Sequence, residues 1–142
     1  MLKYKSSEKR MMKMINAQDL VAEARQSIKE IAPISANRCA AAGAALVDVR
    51  EPAEFNSGHI PGAVNIPRGV LEFEIFSNPA TAGVTAAVPS DRSRAIVVYC
   101  RSGGRAALAA ASLVRLQFTN VSSIAGGILA WEAAGLRTTT VS

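Results

Sequence analysis

Residues 95–125 constrain the fold of this 142-residue chain more than any other stretch. AIVVY at 95–99 is rich in β-branched residues, follows the polar segment SDRSR, and reads as a buried strand. RAALAAASLVRL at 105–116 is Ala- and Leu-rich and reads as a helix, and VSSIA at 121–125 reads as a further strand. Strand, helix, strand in that order predicts parallel pairing through a right-handed crossover. Two more short apolar runs, ALVDV at 45–49 and AVNI at 63–66, supply additional strands. The expectation is an α/β domain with helices on both faces of a mostly parallel sheet.

Before the first of these strands the pattern is helical. Leu20, Val21, Ala24, Ile28 and Ile31 recur at helical spacing, which predicts a helix over 17–31. Asn16 caps it, Asp19 sits in its first turn, and Pro33 ends it. A shorter helix is predicted over 36–42, opened by Ser35 and closed by Gly43, with Cys39 as a small buried thiol among alanines. The organisation is then a basic tail over 1–15, an N-terminal helix within 16–33, and the main domain over 34–142. Residues 77–94 mix Pro, Gly, Ala and Thr and read as a surface excursion.

Composition excludes several classes. An apolar share of 49% supports a sizeable core. The net charge of +5 is largely local, because Lys3, Lys5, Lys9, Arg10 and Lys13 crowd the start. A solvated end explains that run better than a nucleic-acid or membrane partner, and Met11, Met12 and Met14 beside it form no stripe. Cys39 and Cys100 lie far apart, and the single histidine cannot complete a Cys/His zinc site. No apolar run approaches a membrane span or a signal-peptide core, so a cytoplasmic location is expected.

The chemistry concentrates where AIVVY meets Cys100-Arg101-Ser102-Gly103-Gly104-Arg105 and then a helix. In an open parallel sheet, ligands bind beyond the carboxyl ends of the strands. A tight turn into a helix directs backbone N–H groups inward, and the helix dipole adds partial positive charge. Gly103 and Gly104 permit positive φ and close approach, while Arg101 and Arg105 add charge at the rim. A thiol in such a cradle is favoured as thiolate, the nucleophilic form. Asp48 and Arg50 end the first core strand at the same sheet edge. There Asp48 is expected to orient loop donors and Arg50 to pair with Glu54, while His59 makes turn hydrogen bonds.

Three segments in order, LVDVREPAEFNSGHIPGAVNIP, IVVYCRSGGRA and IAGGILAWEAAGL, resemble the rhodanese family of thiosulfate sulfurtransferases over roughly residues 34–137. PRGVLEFEI after Ile66 is similar to a variant in small bacterial members. The resemblance implies a five-stranded parallel sheet with helices on both sides. It implies Cys100 as the persulfide-bearing cysteine and the backbone amides of Arg101, Ser102, Gly103, Gly104 and Arg105 as the cradle for the outer sulfur. Arg105 matches a substrate-facing arginine, Asp48 and Arg50 a framework pair, and Trp131 a packing residue. The implied activity moves a sulfane sulfur from a small anionic donor such as thiosulfate to cyanide, a thiol or a protein cysteine. It calls for neither a metal nor an organic cofactor. Two rival readings are a sulfur carrier without turnover of its own and a cysteine phosphatase or arsenate reductase. Phosphatase loops place five residues between cysteine and arginine, whereas four separate Cys100 from Arg105.

Overall fold

The computed structural model describes residues 14–78 and 92–141. The basic residues of the tail up to Lys13 lie outside that range, as does most of the expected 77–94 excursion.

Helix α1 spans Ala17–Arg25 and opens on a reciprocal cap. The Asp19 amide donates to Asn16 Oδ1 at 3.1 Å and the Asn16 amide donates to Asp19 Oδ2 at 2.9 Å. The helix expected over 17–31 stops six residues early. Lys29–Ile31 instead forms strand β1, whose register is Lys29 to Ser122, Glu30 to Ser123 and Ile31 to Ile124. Ile28 and Ile31 satisfy a helical spacing, but pairing against an open sheet edge outweighs so weak a local preference.

Pro33 does not merely end the preceding element. It is the first residue of α2, Pro33–Ala41, where its missing N–H has no intrahelical partner to lose. The helix expected over 36–42 therefore begins three residues earlier, with Ser35 inside it, and Gly43 follows at φ +104°.

The remaining elements are β2 (Ala45–Asp48), α3 (Pro52–Ser57), β3 (Val64–Asn65), a 3-10 turn at Arg68–Val70, α4 (Leu71–Glu74), β4 (Ile96–Tyr99), α5 (Gly104–Arg115), β5 (Val121–Ile124) and α6 (Gly127–Ala133). The five strands form one sheet in the order β1-β5-β4-β2-β3, and every pair is parallel.

Side-chain alternation along β4 builds two cores from one strand. Ile96 and Val98 join Val47, Leu71, Ala106, Ala110 and Leu113 beneath α5 and α4. Val97 and Tyr99 join Leu46, Ala36, Ile128 and Trp131 beneath α2 and α6. A strand covered on both faces reads as an unbroken apolar run, which is why AIVVY stood out. Full burial of each such side chain is worth about 1.5–3 kcal/mol. Helix α1 lies outside this layer, with Val21 and Ala24 packed on Ala107 of α5.

Candidate active site

Cys100 follows β4 directly, at the carboxyl edge of the central part of the sheet. Continuing the alternation, it points to the α5 side with Ile96 and Val98 and is 1% exposed. Three residues later the chain turns at Gly103, with φ +118°, and enters α5. Gly103 occupies the N-cap position yet has no side chain with which to cap. Sulfur fills that role: the Gly103 amide donates to Cys100 Sγ at 3.1 Å and the Ala106 amide donates at 3.4 Å. The helix's unpaired N–H groups and the positive end of its dipole thus converge on one sulfur atom.

The loop is held from its carbonyl side as well. Ile128 N donates to Cys100 O at 2.9 Å and Leu129 N donates to Arg101 O at 3.2 Å. These amides belong to the first turn of α6, which enters through Gly126 at φ +74° and Gly127 at φ +62°. A side chain at Gly127 would collide with the carbonyl oxygens of Cys100 and Arg101. Two helix N-termini therefore bracket one turn, α5 acting on the sulfur and α6 on the backbone.

The expected pairing of charges is redistributed. Arg50 pairs with Asp48, not Glu54: its Nη2 donates to Asp48 Oδ2 at 2.7 Å and its Nε donates to Oδ1 at 3.0 Å. The Arg50 amide also donates to Asp48 Oδ1 at 2.9 Å, and Nη2 donates to Gly58 O at 2.6 Å. Both residues are buried. They sit two apart where a strand ends, which puts their side chains on the same side and within reach. Asp48 is thus engaged by Arg50, and no bond from it to the Cys100 loop is present among the described residues. The Asn65 amide group ties this corner down by donating to Asp48 O and Arg50 O at 3.0 and 2.8 Å. Beside it, burial foremost, and the nearby Asp48 charge, push the Tyr99 phenol far above its usual range. The phenol oxygen accepts from Ile60 N.

Glu54 belongs to Arg105. The guanidinium donates through Nη1 and Nη2 to the two carboxylate oxygens at 2.7 and 3.0 Å, tying α5 to α3. Those hydrogen bonds hold the Glu54 carboxyl down at about 2, with burial opposing them. Because the folded value lies below the ordinary one, the contribution to stability is present above the unfolded pKa of about 4.3 and is lost as pH falls through about 2. Arg105→Ala should remove it. Urea midpoints of parent and variant should differ at pH 7 and converge toward pH 2; a gap unchanged at pH 2 would show the loss to be packing instead.

The turn hydrogen bonding expected of His59 reduces to one local contact, Nδ1 at 2.8 Å from Phe55 O. Its backbone instead exchanges two 2.8 Å hydrogen bonds with distant Thr139 in an antiparallel bridge, and its ring stacks on Phe55 at 3.7 Å. Trp131 is buried, with Nε1 donating to Arg137 O. Cys39 is half-buried on α2, more open than expected. Among the described residues no three His, Cys, Asp or Glu side chains gather as a metal site. Nor is any described helix long and apolar enough to cross a membrane.

Sequence reasoning reached Cys100, its loop and the Asp48–Arg50 corner. It missed three contributors: Glu54 as the partner of Arg105, the Gly126–Gly127 step that seats α6, and Arg25 on α1. The paired glycines ahead of ILAW were a legible signal of close backbone approach. For Arg25 no local signal existed.

A cysteine whose sulfur accepts from the first amides of a helix, at the carboxyl edge of a five-stranded parallel α/β sheet, defines a class of α/β proteins with a thiol seated at a helix N-terminus. The match of the rhodanese-like domain model to residues 33–134 narrows this, and the chain belongs to that family. A sulfurtransferase of Allochromatium vinosum is 36% identical over 91 residues, covering 64% of this chain and 74% of that one. Thiosulfate sulfurtransferase 16, a chloroplastic protein of Arabidopsis thaliana, is 35% identical over 105 residues, covering 68% and 81%. Among solved structures, one from Rhodopseudomonas palustris superposes with TM-score 0.73 at 31% identity, covering 89% of this chain and 96% of its own. It is described as a protein of unknown function and possible tyrosine phosphatase.

Proposed function

We propose that this protein is a sulfurtransferase that carries sulfur as a persulfide on Cys100. The observation that carries the reading is the convergence of the Gly103 and Ala106 amides on Cys100 Sγ. Family membership and relatives named as sulfurtransferases agree with it.

The Cys100 thiolate attacks the sulfane sulfur of a small anionic donor such as thiosulfate. A new S–S bond forms to Cys100, the donor's S–S bond breaks, and its electron pair leaves with sulfite. An acceptor nucleophile, whether cyanide, a small thiol or a protein cysteine, then attacks the outer sulfur and Cys100 departs as thiolate. The loop amides of Arg101, Ser102, Gly103, Gly104 and Arg105 hold the outer sulfur and its charge, as preorganised donors do for other anionic intermediates. No electrons are gained or lost overall, so the cycle needs neither a redox cofactor nor a metal.

The label of possible tyrosine phosphatase on the R. palustris structure keeps a second thiolate chemistry in view. Here the first arginine after the turn comes at Cys-x4-Arg, and Arg105 is bound two-handed by Glu54. A phosphoryl group would need that guanidinium free. No Cys100-dependent turnover of small aryl phosphates is expected, and robust turnover would displace the sulfur reading.

The deciding experiment is intact-protein mass spectrometry after incubation with thiosulfate without reductant. One added sulfur that cyanide removes supports a persulfide. Absence of the adduct on folded, reduced protein, with thiosulfate and with a protein persulfide donor alike, would sink it. A slow thiosulfate:cyanide cycle combined with fast loading from a protein persulfide would make the chain a carrier.

A further inference from the structure

We propose that Arg25, on the N-terminal helix and outside the segment matched by the family, is a specificity-determining residue that draws dianionic sulfur donors to the Cys100 loop. The proposal rests on the persulfide reading for its substrate, though not for its electrostatics.

The cations around Cys100 are not equivalent. Arg50 is buried against Asp48, and Arg105 is bound through two nitrogens to Glu54, so each arrives with its countercharge. Arg101, in the loop itself, is exposed and has no ion pair among the described residues. Arg25 adds a second loosely balanced cation, from helix α1. Its contact with Glu30 is a single 3.4 Å approach through Nε, between side chains 43% and 30% exposed. Exposed pairs of that kind neutralise little. Meanwhile the Nη2 end lies against the cradle: a β-carbon at Gly103 would sit 3.4 Å from it. Gly103 is the residue whose amide donates to Cys100 Sγ at 3.1 Å. The guanidinium therefore stands within about one Debye length of the sulfur, roughly 8–10 Å at ordinary ionic strength.

Helix direction explains how a residue in the last turn of α1 reaches this loop. Val21 touches the α5 start, its Cγ2 lying 3.7 Å from where a β-carbon of Gly104 would be, and Ala24 packs on Ala107. Side chains on a helix lean toward its N-terminus, so Arg25 extends back along α1 toward Gly103. Glycine at 103 leaves the space that the guanidinium approaches. With Arg25 in place, the loop presents a cation whose charge is only loosely balanced, beside amides already committed to anion binding. A dianion such as thiosulfate gains from that field; an uncharged sulfur donor does not.

The test uses the full chain carrying Cys39→Ser, so that Cys100 is its single thiol, with Arg25→Gln and Arg25→Lys made in that background. Two donors are compared, dianionic thiosulfate and a monoanionic arenethiosulfonate, which gives up its outer sulfur in the same way and leaves as a sulfinate. Arg25→Gln should lower kcat/KM for thiosulfate about tenfold, mainly through KM, and for the thiosulfonate only about threefold. Arg25→Lys should recover most of the loss, and the thiosulfate rate of Arg25→Gln should depend less on salt. Equal losses with both donors would reduce Arg25 to a structural contact and overturn the proposal. A second readout needs no sulfur transfer: the rate of Cys100 alkylation by anionic iodoacetate relative to neutral iodoacetamide should fall about fivefold in Arg25→Gln. If the parent accepts sulfur from no donor, the persulfide reading fails, and the alkylation ratio alone then decides for or against Arg25.

Discussion

Replacing Cys100 with serine is expected to abolish sulfur transfer, lowering thiosulfate:cyanide turnover by roughly 10⁴-fold or more, as loss of a covalent nucleophile does. Stability should hardly change. Serine is close to isosteric, and its oxygen can still accept from the Gly103 and Ala106 amides that now donate to sulfur at 3.1 and 3.4 Å. The variant should therefore unfold in urea within about 1 kcal/mol of the parent while taking up no sulfur from thiosulfate. Mass spectrometry before and after cyanide checks the chemistry, and circular dichroism checks the fold. A serine variant that retained even a hundredth of the activity would remove Cys100 from the covalent step.

The second large effect is expected from a residue that touches no substrate. Gly127→Ala places a methyl group against the Cys100 and Arg101 carbonyl oxygens, at a backbone φ of +62° that alanine adopts poorly. Left-handed strain costs about 1–3 kcal/mol, and overpacking a tight contact adds about as much again. The cheapest relief is to move α6 away from the turn, which breaks the bonds from Ile128 N to Cys100 O and from Leu129 N to Arg101 O. Released on its carbonyl side, the turn no longer aims its amides at sulfur. We expect a loss of about 2–4 kcal/mol in urea unfolding and a drop in kcat/KM of roughly 10²-fold. Gly135→Ala is the control, since its φ is also positive at +80° but nothing lies near its β-position. It should cost stability modestly and leave kcat/KM intact. If Gly127→Ala lost stability while kcat/KM held, α6 would support the fold without setting the loop.

Much of this was written locally. Cys100 and its turn were legible because a β-branched run, a cysteine, paired glycines and an Ala-rich helix occur without interruption, and each step is set by neighbours in the chain. The parallel sheet followed from the same alternation of strand and helix. The Asn16–Asp19 cap was equally local, three residues apart. Where the reading failed, a distant partner had the decisive vote. Lys29–Ile31 carries a spacing that suits a helix, yet the free edge of β5 offered a row of unpaired N–H and C=O groups, and the segment became β1.

Charge partners were hidden for the same reason. Glu54 lies four residues from Arg50 and 51 from Arg105, and it pairs with Arg105. Sequence proximity favoured the first pairing. Docking of α5 beside α3 decided for the second, while Asp48 had already engaged Arg50 at the strand end. Sequence by itself thus determined the sheet type and the cysteine, turn and helix that converge at the sheet edge, because strand alternation, turn glycines and helix dipoles act over a few residues. Tertiary structure decided which arginines keep an open charge, what clamps the turn from behind, and that Arg25 reaches it. Those depend on how helices pack in three dimensions, and no spacing along the chain encodes them.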